Sequence, residues 1–263
     1  TQGIIQVTLN SKLSFDYKKL IEKAYEIFSA DKKVLENLSF TLEEKKTYAL
    51  VGHSGSGKST IAKLLSGFYK VDGGAIKIGG YPLSEYTKEA IIRNISFVFQ
   101  DSKLFKKSIY DNVALADENA SKEEVMKALT LSGCDEIIAK FKDRENTIIG
   151  SKGVYLSGGE KQRLSIARAM MKSAPIIILD EATANVDPEN EKELMQAIEE
   201  LTRQKTVIMI AHRLKTVRNA DKIVVIDEGR IVQEGKHEEL IKTDGIYKKF
   251  VNARELAVSW KIS

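Results

Sequence analysis

The chain has 263 residues, of which 43% are hydrophobic and 30% are charged, as in ordinary soluble globular proteins. Its acidic and basic residues are interleaved and leave a formal net charge of only +4, so charge does not indicate a nucleic-acid partner. No apolar run approaches the ~20 residues that span a bilayer. The single cysteine, Cys134, excludes an internal disulfide and favours a quiet structural thiol in a reducing compartment.

Two elements are predicted near the start of the chain. Residues 18–28 carry apolar side chains at helical spacing, which is typical of an amphipathic helix. Residues 38–42 alternate between apolar and polar, which predicts a strand with one exposed face. The chain starts at Thr1 without a signal peptide, so we expect it to be a fragment of a longer polypeptide.

The most specific feature is the segment 52–60, G-H-S-G-S-G-K-S-T, which matches the phosphate-loop pattern G-x-x-x-x-G-K-[ST]. An apolar run at 48–51 predicts a strand before it, and residues 61–68, with Phe68 as the last apolar position, predict a helix ending near Gly67. A strand, a glycine turn and a helix N-terminus form an anion site, because backbone N–H groups and the helix dipole face the ligand. The alternative is a chance match in a flexible loop.

Phosphate chemistry gives the loop residues distinct roles. The glycines let the backbone approach a phosphate closely. Lys58 can reach the β- and γ-phosphates, and the Ser59 hydroxyl can bind Mg²⁺. The residues that we expect to hold the nucleotide here are Gly52, Ser54, Gly55, Ser56, Gly57, Lys58, Ser59 and Thr60.

Four short apolar runs each deliver a polar group to their end. The runs are 48–51, 95–99, 176–179 and 207–210, and they are followed by the phosphate loop, Gln100, Asp180 with Glu181, and His212. Helical segments such as 189–201 separate them, which predicts a parallel sheet covered by helices. Ligands bind beyond the carboxyl ends of such strands, so the four groups indicate one assembled site.

The polar groups at this edge suit nucleotide hydrolysis. Asp180 can hold Mg²⁺ through water, and Glu181 is placed to polarise an attacking water. Gln100 can contact the metal or that water, and His212 can donate to the γ-phosphate. Taken singly, each has a plainer interpretation as a turn, a cap, a surface glutamine or a structural histidine.

The remaining segments predict two smaller parts. Residues 102–174 are largely helical by pattern, most strongly at 123–131. Residues 223–226 and 231–232 predict a hairpin with a turn at Gly229. A smaller antiparallel sheet is expected to contain both this hairpin and the strand at 38–42.

A second anion site is predicted at 156–160, L-S-G-G-E. Ser157 has the character of an N-cap, and Gly158 and Gly159 expose backbone N–H groups at the helix start. An ordinary capped helix is the alternative. Two phosphate-type sites in one chain need an explanation, because one ATP has only one γ-phosphate.

Together these motifs resemble the nucleotide-binding domain of ATP-binding cassette (ABC) transporters, over about residues 34–250. The similar segments are Walker A at 52–60, the Q-loop at Gln100, the signature at 156–160, Walker B at 176–181, the D-loop at 184–187 and the switch histidine at His212. One departure is Glu160, which stands where the family usually has Gln.

The resemblance implies a single nucleotide-binding domain over 1–263, with an α/β P-loop NTPase (RecA-like) core and a mostly parallel sheet. It also implies an antiparallel β-subdomain and a helical subdomain at about 102–174. The implied ligands are ATP and Mg²⁺, with Ser59, Gln100 and Asp180 at the metal and Lys58, Glu181 and His212 as catalytic residues. Two copies would pair head to tail, so that the signature of one, at Ser157, Gly158 and Gly159, contacts the γ-phosphate bound by the other.

The family stacks adenine on an aromatic residue upstream of Walker A. Phe28 has the best spacing, and Tyr25 and Tyr17 are alternatives. The same stretch is also compatible with the amphipathic helix described above, so the identity of the stacking residue stays open.

Several segments resemble exporters in particular. Residues 147–153 resemble the exporter-type X-loop, although Ser151 replaces its usual glutamate, and residues 235–247 resemble the end of exporter half-transporters. This implies an upstream transmembrane domain, a position at the cytoplasmic face of the membrane, and a coupling helix docking at 101–105. Intact hydrolytic positions favour a homodimer. The alternatives are an ABC-type ATPase acting on DNA or ribosomes, and the separate ATPase subunit of an importer.

Overall fold

The computed structural model describes residues 5–11, 34–99, 103–117, 119–150, 153–180, 188–210 and 214–259. The chain divides into two compact units. The first unit contains Thr1–Ile91 and Leu214–Ser263, and the second contains the intervening residues, 92–213. Among the described residues, no helix is both long enough and apolar enough to cross a bilayer.

The elements alternate along the chain as an α/β protein requires. The strands are β1 (Ile5–Ser11), β2 (Leu35–Leu42), β3 (Thr47–Val51), β4 (Gly74–Ile78), β5 (Tyr81–Pro82), β6 (Ile95–Val98), β7 (Lys107–Ser108), β8 (Ile148–Ile149), β9 (Ile176–Asp180), β10 (Thr206–Ile210), β11 (Lys222–Asp227) and β12 (Arg230–Gly235). The α-helices are α1 (Lys58–Leu65), α2 (Lys88–Asn94), α3 (Ile109–Ala114), α4 (Lys122–Leu131), α5 (Asp135–Ala139), α6 (Gly158–Lys172), α7 (Pro188–Thr202), α8 (Leu214–Arg218), α9 (His237–Leu240) and α10 (Ile246–Ser259).

The first unit contains an antiparallel sheet in the order β2-β1-β4-β5. Strand β2 buries Leu35, Leu38, Phe40 and Leu42 and exposes three of the residues between them, which confirms the alternation predicted from the sequence. Strands β1, β4 and β5 were not predicted. Helix α1 ends before Gly67 (φ 71°) as predicted, but Phe68 lies beyond the helix and is 55% exposed, so its assignment to the helix face was wrong.

The predicted hairpin is present as β11 and β12, but its place in the fold was predicted wrongly. Strand β11 pairs in parallel with β3, with Val224 opposite Leu50, and in antiparallel with β12. The hairpin therefore pairs beside β3, the strand that leads into the phosphate loop. It does not belong to the antiparallel sheet. The reason is burial: β11 buries Ile223–Ile226 on both faces, as a central strand does.

The second unit contains three parallel strands, with β9 between β10 and β6. The aliphatic run 176–179 is buried, as predicted. Helices α3 to α6 pack around a common core that includes Ile109, Leu129 and Leu164. The described part of 102–174 is thus mainly helical, as predicted, with the short pair β7 and β8 as an exception.

Cys134 lies in this core and is fully buried. Its Sγ lies 3.1 Å from the hydroxyl of Ser132. Burial raises the pKa of the thiol to about 12, because the thiolate would lose its hydration. The predicted structural role of this cysteine is confirmed.

Candidate functional site

The phosphate-loop segment connects β3 directly to α1. Gly57 is the N-cap of α1 in a left-handed conformation (φ 106°), and no side chain caps the helix. Helices usually begin with a Ser, Thr, Asp or Asn side chain that accepts from a first-turn N–H group, and α1 has no such cap. Ser54 and Gly55 are exposed, whereas Ser56 and Lys58 are buried. The loop thus has an exposed rim, formed by Ser54 and Gly55, and a buried cation, Lys58, at its base.

Lys58 is held by the loop itself. Its side chain is only 6% exposed. The ammonium Nζ donates to the carbonyls of Gly52 at 3.0 Å and His53 at 2.7 Å, and to the Ser56 hydroxyl at 3.3 Å. These contacts hold the ammonium at the base of the loop, below the exposed rim. A cation in this position suits a polyanion.

Two glycines of the loop are required by packing within the first unit. A Cβ at Gly52 would lie 2.1 Å from the Ile226 carbonyl oxygen, and one at Gly57 would lie 2.6 Å from Leu35 Cδ2. Both clashes are with other parts of the chain. By contrast, a Cβ at Gly55 would meet nothing within 4 Å. At these two positions the glycines make room for the β11–β12 hairpin and β2.

In the second unit, three parallel strands bring their carboxyl ends to one edge. Asp180 is the last residue of β9, is partly exposed, and stands opposite Ile210 of β10, while Val98 of β6 stands opposite Leu179. The sequence positions that follow these ends, Gln100, Glu181 and His212, lie outside the described residues. The other predicted positions outside them are the adenine candidates Phe28, Tyr25 and Tyr17, the D-loop 184–187, and Ser151.

The predicted cap of α6 is confirmed. The Ser157 hydroxyl accepts from the Glu160 N–H at 3.2 Å, and Glu160 Oε2 accepts from the Ser157 N–H at 2.7 Å, which is a capping box. Gly158 is exposed in the first turn. The positive end of the helix dipole thus lies beside the exposed Gly158, which suits an anion.

An ion pair accounts for the glutamate at position 160, where the family usually has glutamine. Its second oxygen, Oε1, accepts from Lys140 Nζ at 2.7 Å. Burial alone raises the pKa of this carboxyl, but the hydrogen bonds from Lys140 and Ser157 outweigh it, so the pKa lies below its ordinary value. A glutamine would keep the cap through its carbonyl oxygen and lose the ion pair.

Sequence reasoning missed a polar centre in the second unit formed by Asn112 and Arg168. Asn112 is fully buried, and its Nδ2 donates to three carbonyls, of Phe105 at 3.0 Å, Lys107 at 3.2 Å and Ser108 at 2.9 Å. Its Oδ1 accepts from the Phe105 N–H at 2.9 Å and from Arg168 Nη2. This one side chain fixes the backbone of 105–108.

Arg168 of α6 completes this centre. Its Nε donates to the Asn112 carbonyl at 2.6 Å, and its Nη1 donates to the Lys103 carbonyl at 2.7 Å. Desolvation by burial lowers the pKa of the guanidinium, although the charge persists at neutral pH because arginine ionises so far above it. The helix that begins at the signature is thereby tied to the segment at 103–108.

We expect Asn112→Ala to lower the free energy of unfolding by about 2–4 kcal/mol, because it removes the side-chain partner of backbone groups of Phe105, Lys107 and Ser108 and of Arg168 Nη2. Chemical denaturation followed by circular dichroism measures this change. The matched control is Asn119→Ala, at an exposed position, which should change stability by less than about 0.5 kcal/mol. Equal effects of the two substitutions would contradict the assigned role of Asn112.

The strand, glycine loop and helix around Lys58, within an α/β fold, define a P-loop nucleotide-binding domain. A family model described as "ABC transporter" matches residues 35–184, more than half of the chain. The chain belongs to the ABC transporter family. The fold class predicted from the sequence is thereby confirmed.

Relatives and solved structures place the similarity among exporters, as predicted. The chain is 46% identical over 222 residues to an ATP-dependent lipid A-core flippase of Pasteurella multocida (strain Pm70), covering 84% of this chain and 38% of the relative. It is 42% identical over 246 residues to the uncharacterized ABC transporter ATP-binding protein YknV of Bacillus subtilis (strain 168), covering 94% of this chain and 40% of the relative. The solved structure of a bacterial Atm1-family ABC exporter with ATP bound matches with a TM-score of 0.83 and 33% identity, over 97% of this chain and 42% of that one. The chain thus spans about two fifths of the length of these proteins.

Proposed function

We propose that the chain is the motor domain of an exporter: it binds Mg-ATP at the phosphate loop and hydrolyses it between two copies arranged head to tail. The observation that carries this proposal is the buried Lys58 ammonium, fixed by the carbonyls of Gly52 and His53 beneath an exposed loop rim. A fixed cation and the N-terminus of α1, which no side chain caps, complement the triphosphate of ATP. The other loop residues, from Ser54 to Thr60, contribute backbone and hydroxyl contacts to it.

The residues assigned to the metal fit Mg²⁺ by their chemistry. Ser59 supplies a hydroxyl from the first turn of α1, and Asp180 supplies a carboxylate from the end of β9. Gln100 adds an amide oxygen. Oxygen donors are the ligands that Mg²⁺ prefers, and the ion when bound neutralises charge on the phosphates. Within the described residues, no group of three or more His, Cys, Asp or Glu is placed to hold a metal by itself.

Hydrolysis is assigned to three residues with different tasks. Glu181 orients and polarises the attacking water, and His212 donates a hydrogen bond to the γ-phosphate. Lys58 stabilises the charge that develops on the phosphate in the transition state. Phe28 remains our first candidate for the residue that stacks on adenine.

Two copies are proposed because one chain carries two anion sites. The capped helix start at Ser157, Gly158 and Gly159 carries the positive end of the helix dipole, and Gly158 is exposed. In a head-to-tail pair, this helix start would close on the γ-phosphate held by Lys58 of the other copy. Loss of that phosphate on hydrolysis removes the shared ligand and lets the pair open. Intact hydrolytic positions favour identical copies.

The proposed motor acts on a transmembrane domain at the cytoplasmic face of a membrane. Its support is the partial coverage of the relatives, whose full lengths are more than twice the part matched here. The segment 101–105 is the proposed docking place for a coupling helix, and the described end of it is held by Asn112 and Arg168.

The proposal is tested by complementation. Two chains are prepared, Lys58→Ala, which lacks the loop cation, and Gly158→Asp, which places a negative charge at the helix start. Each alone should be inactive. An equal mixture should recover about a quarter of wild-type ATP hydrolysis, because half of the dimers are mixed and each has one intact site of two.

Two further measurements make the test specific. Specific activity of the wild-type chain should rise with protein concentration, because the site needs two copies, and it should vanish when EDTA removes Mg²⁺. A mixture as inactive as its components, together with wild-type activity independent of concentration, would contradict the head-to-tail site. Isothermal titration calorimetry, under conditions in which ATP is not hydrolysed, measures separately whether a single chain binds ATP.

A further inference from the structure

His53, the second residue of the phosphate-loop segment, carries an exposed side chain with two close contacts. Its Nε2 lies 2.6 Å from Asp227 Oδ1, at the end of β11. Its Nδ1 lies 2.7 Å from the carbonyl oxygen of Ser54, within the loop. The ring therefore connects the loop at the end of β3 with the end of the neighbouring parallel strand.

These contacts define the charge state of the ring. A backbone carbonyl oxygen and an ionised carboxylate are both acceptors only. Both ring nitrogens must then donate, and a neutral imidazole has only one N–H. Only the imidazolium form of His53 can donate to both, so the two contacts are complete when the ring is protonated, and the ring is then a cation within the loop that holds Lys58.

The same hairpin supports the loop at two further points. The Gly229 N–H donates to the Ser56 carbonyl at 3.1 Å, and the Ile226 carbonyl packs where a Cβ at Gly52 would be. The hairpin turn is itself anchored, because the Glu36 N–H donates to the Gly229 carbonyl at 3.0 Å and Arg230 pairs with the Glu36 carboxylate at 2.7 Å. The phosphate loop therefore packs against a hairpin that is itself held in place. The pair of His53 and Asp227 is the charged contact between the loop and this hairpin.

The main chain of His53 leads to the cation at the base of the site. Its carbonyl accepts from Lys58 Nζ at 2.7 Å and from the Ser56 N–H at 3.3 Å. The side chain of His53 thus holds the loop to the hairpin, and its main-chain carbonyl holds the loop to Lys58. Moving His53 would move an acceptor of Lys58.

We propose that His53 and Asp227 are positioning residues for nucleotide binding: their charged contact holds the loop in the geometry that receives the triphosphate and places a second cation, besides Lys58, close to it. This inference rests on the proposed function, in which the loop binds ATP. Neither residue is assigned a part in the chemical step, so the expected effect is on affinity and not on the rate constant of hydrolysis.

The contact is expected to depend on pH. Among the described residues, the charged groups that influence the ring are Asp227 from β11 and Lys58 from α1. The hydrogen bond to the Ser54 carbonyl, followed by that to Asp227, raises the pKa of His53 above its ordinary value of 6.5, while slight desolvation and Lys58 oppose them. Because the pKa is raised, the contact is complete below pH 6.5 and is lost as pH rises through the raised pKa. Affinity for ATP should fall over the same interval.

The experiment compares wild type with Asp227→Ala and His53→Gln, using the 263-residue chain. In the nucleotide-free chain, NMR titration of the histidine ring protons, assigned with His53→Gln, should give a His53 pKa above its ordinary value that drops in Asp227→Ala. Calorimetry with ATP should give about three- to tenfold weaker binding for each variant, with no further loss in the double variant. Asp227→Asn keeps an acceptor for Nε2 but removes the charge, so it should recover only part of the affinity.

The matched control is Asp221→Ala. Asp221 accepts from the Thr47 N–H at 2.8 Å and pairs with Lys46 at 3.3 Å, at the other end of the same two strands. Its loss should leave ATP affinity unchanged. Comparing the pH dependence of affinity in wild type and His53→Gln removes the titration of the nucleotide's own phosphate, which is common to both.

The outcomes separate the two proposals. If wild type binds no ATP, the proposed function fails. If wild type binds ATP but Asp227→Ala binds it equally well, or leaves the His53 titration unchanged, the positioning role of the pair is overturned while the proposed function stands. A loss of affinity as large in Asp221→Ala as in Asp227→Ala would also overturn it, because it would show a general effect of strand stability.

Discussion

Replacing Lys58 by alanine is expected to reduce ATP turnover at least about 100-fold, which corresponds to about 3 kcal/mol of lost transition-state stabilisation. The ammonium is held by two loop carbonyls at the base of the site, so its removal leaves this position without the cation. ATP affinity should fall as well, because the cation interacts with the ground-state triphosphate. Phosphate release measured at saturating Mg-ATP, with calorimetry for binding, resolves the two effects.

The control for this substitution is Lys63→Ala, in the last turn of the same helix. It removes an equal charge from α1 but from its opposite end. Turnover should stay within about twofold of wild type, since a single last-turn charge contributes only a few tenths of a kcal/mol to the helix. Turnover of Lys58→Ala within threefold of wild type would remove the basis for the entire functional proposal.

Replacing Glu181 by glutamine is expected to separate binding from hydrolysis. The amide has nearly the shape of the carboxylate but cannot take a proton from the attacking water, so turnover should fall by about 100- to 10,000-fold. ATP binding should persist, because no phosphate contact is removed. With hydrolysis blocked, the shared ligand is not lost, and Mg-ATP should convert the chain into a stable dimer.

Analytical ultracentrifugation with and without Mg-ATP measures that dimer, and phosphate release measures the turnover. Glu199→Gln, an exposed position on α7, makes the same chemical change away from the strand ends and should behave like wild type. Two results would count against the role of Glu181: near-normal turnover, or a variant that binds ATP and remains monomeric at every concentration.

The phosphate loop could be predicted from the sequence because its signals are local. The glycines, Lys58 and the flanking apolar runs lie within a single short stretch, and the capping box at Ser157 and Glu160 needs only four consecutive residues. The alternation in β2 is likewise visible in its own residues. Each of these features is determined by residues that are close together in the sequence.

The missed features depend on contacts between distant positions. Asn112 and Arg168 are 56 residues apart, and nothing near either one indicates the other. The contact between His53 and Asp227 spans most of the chain. Strand β11 was recognised as half of a hairpin, but its pairing with β3 is decided by burial of both faces in the folded unit, which a local pattern does not specify.

The buried thiol of Cys134 makes this chain convenient for spectroscopy. Maleimide dyes and nitroxide spin labels attack the thiolate, and a fully buried group whose pKa is raised to about 12 offers almost none at neutral pH. A cysteine introduced on the exposed surface, for instance at Tyr155, would then carry the label alone. Distances between two labelled copies can be measured in the native background, without first replacing the natural cysteine.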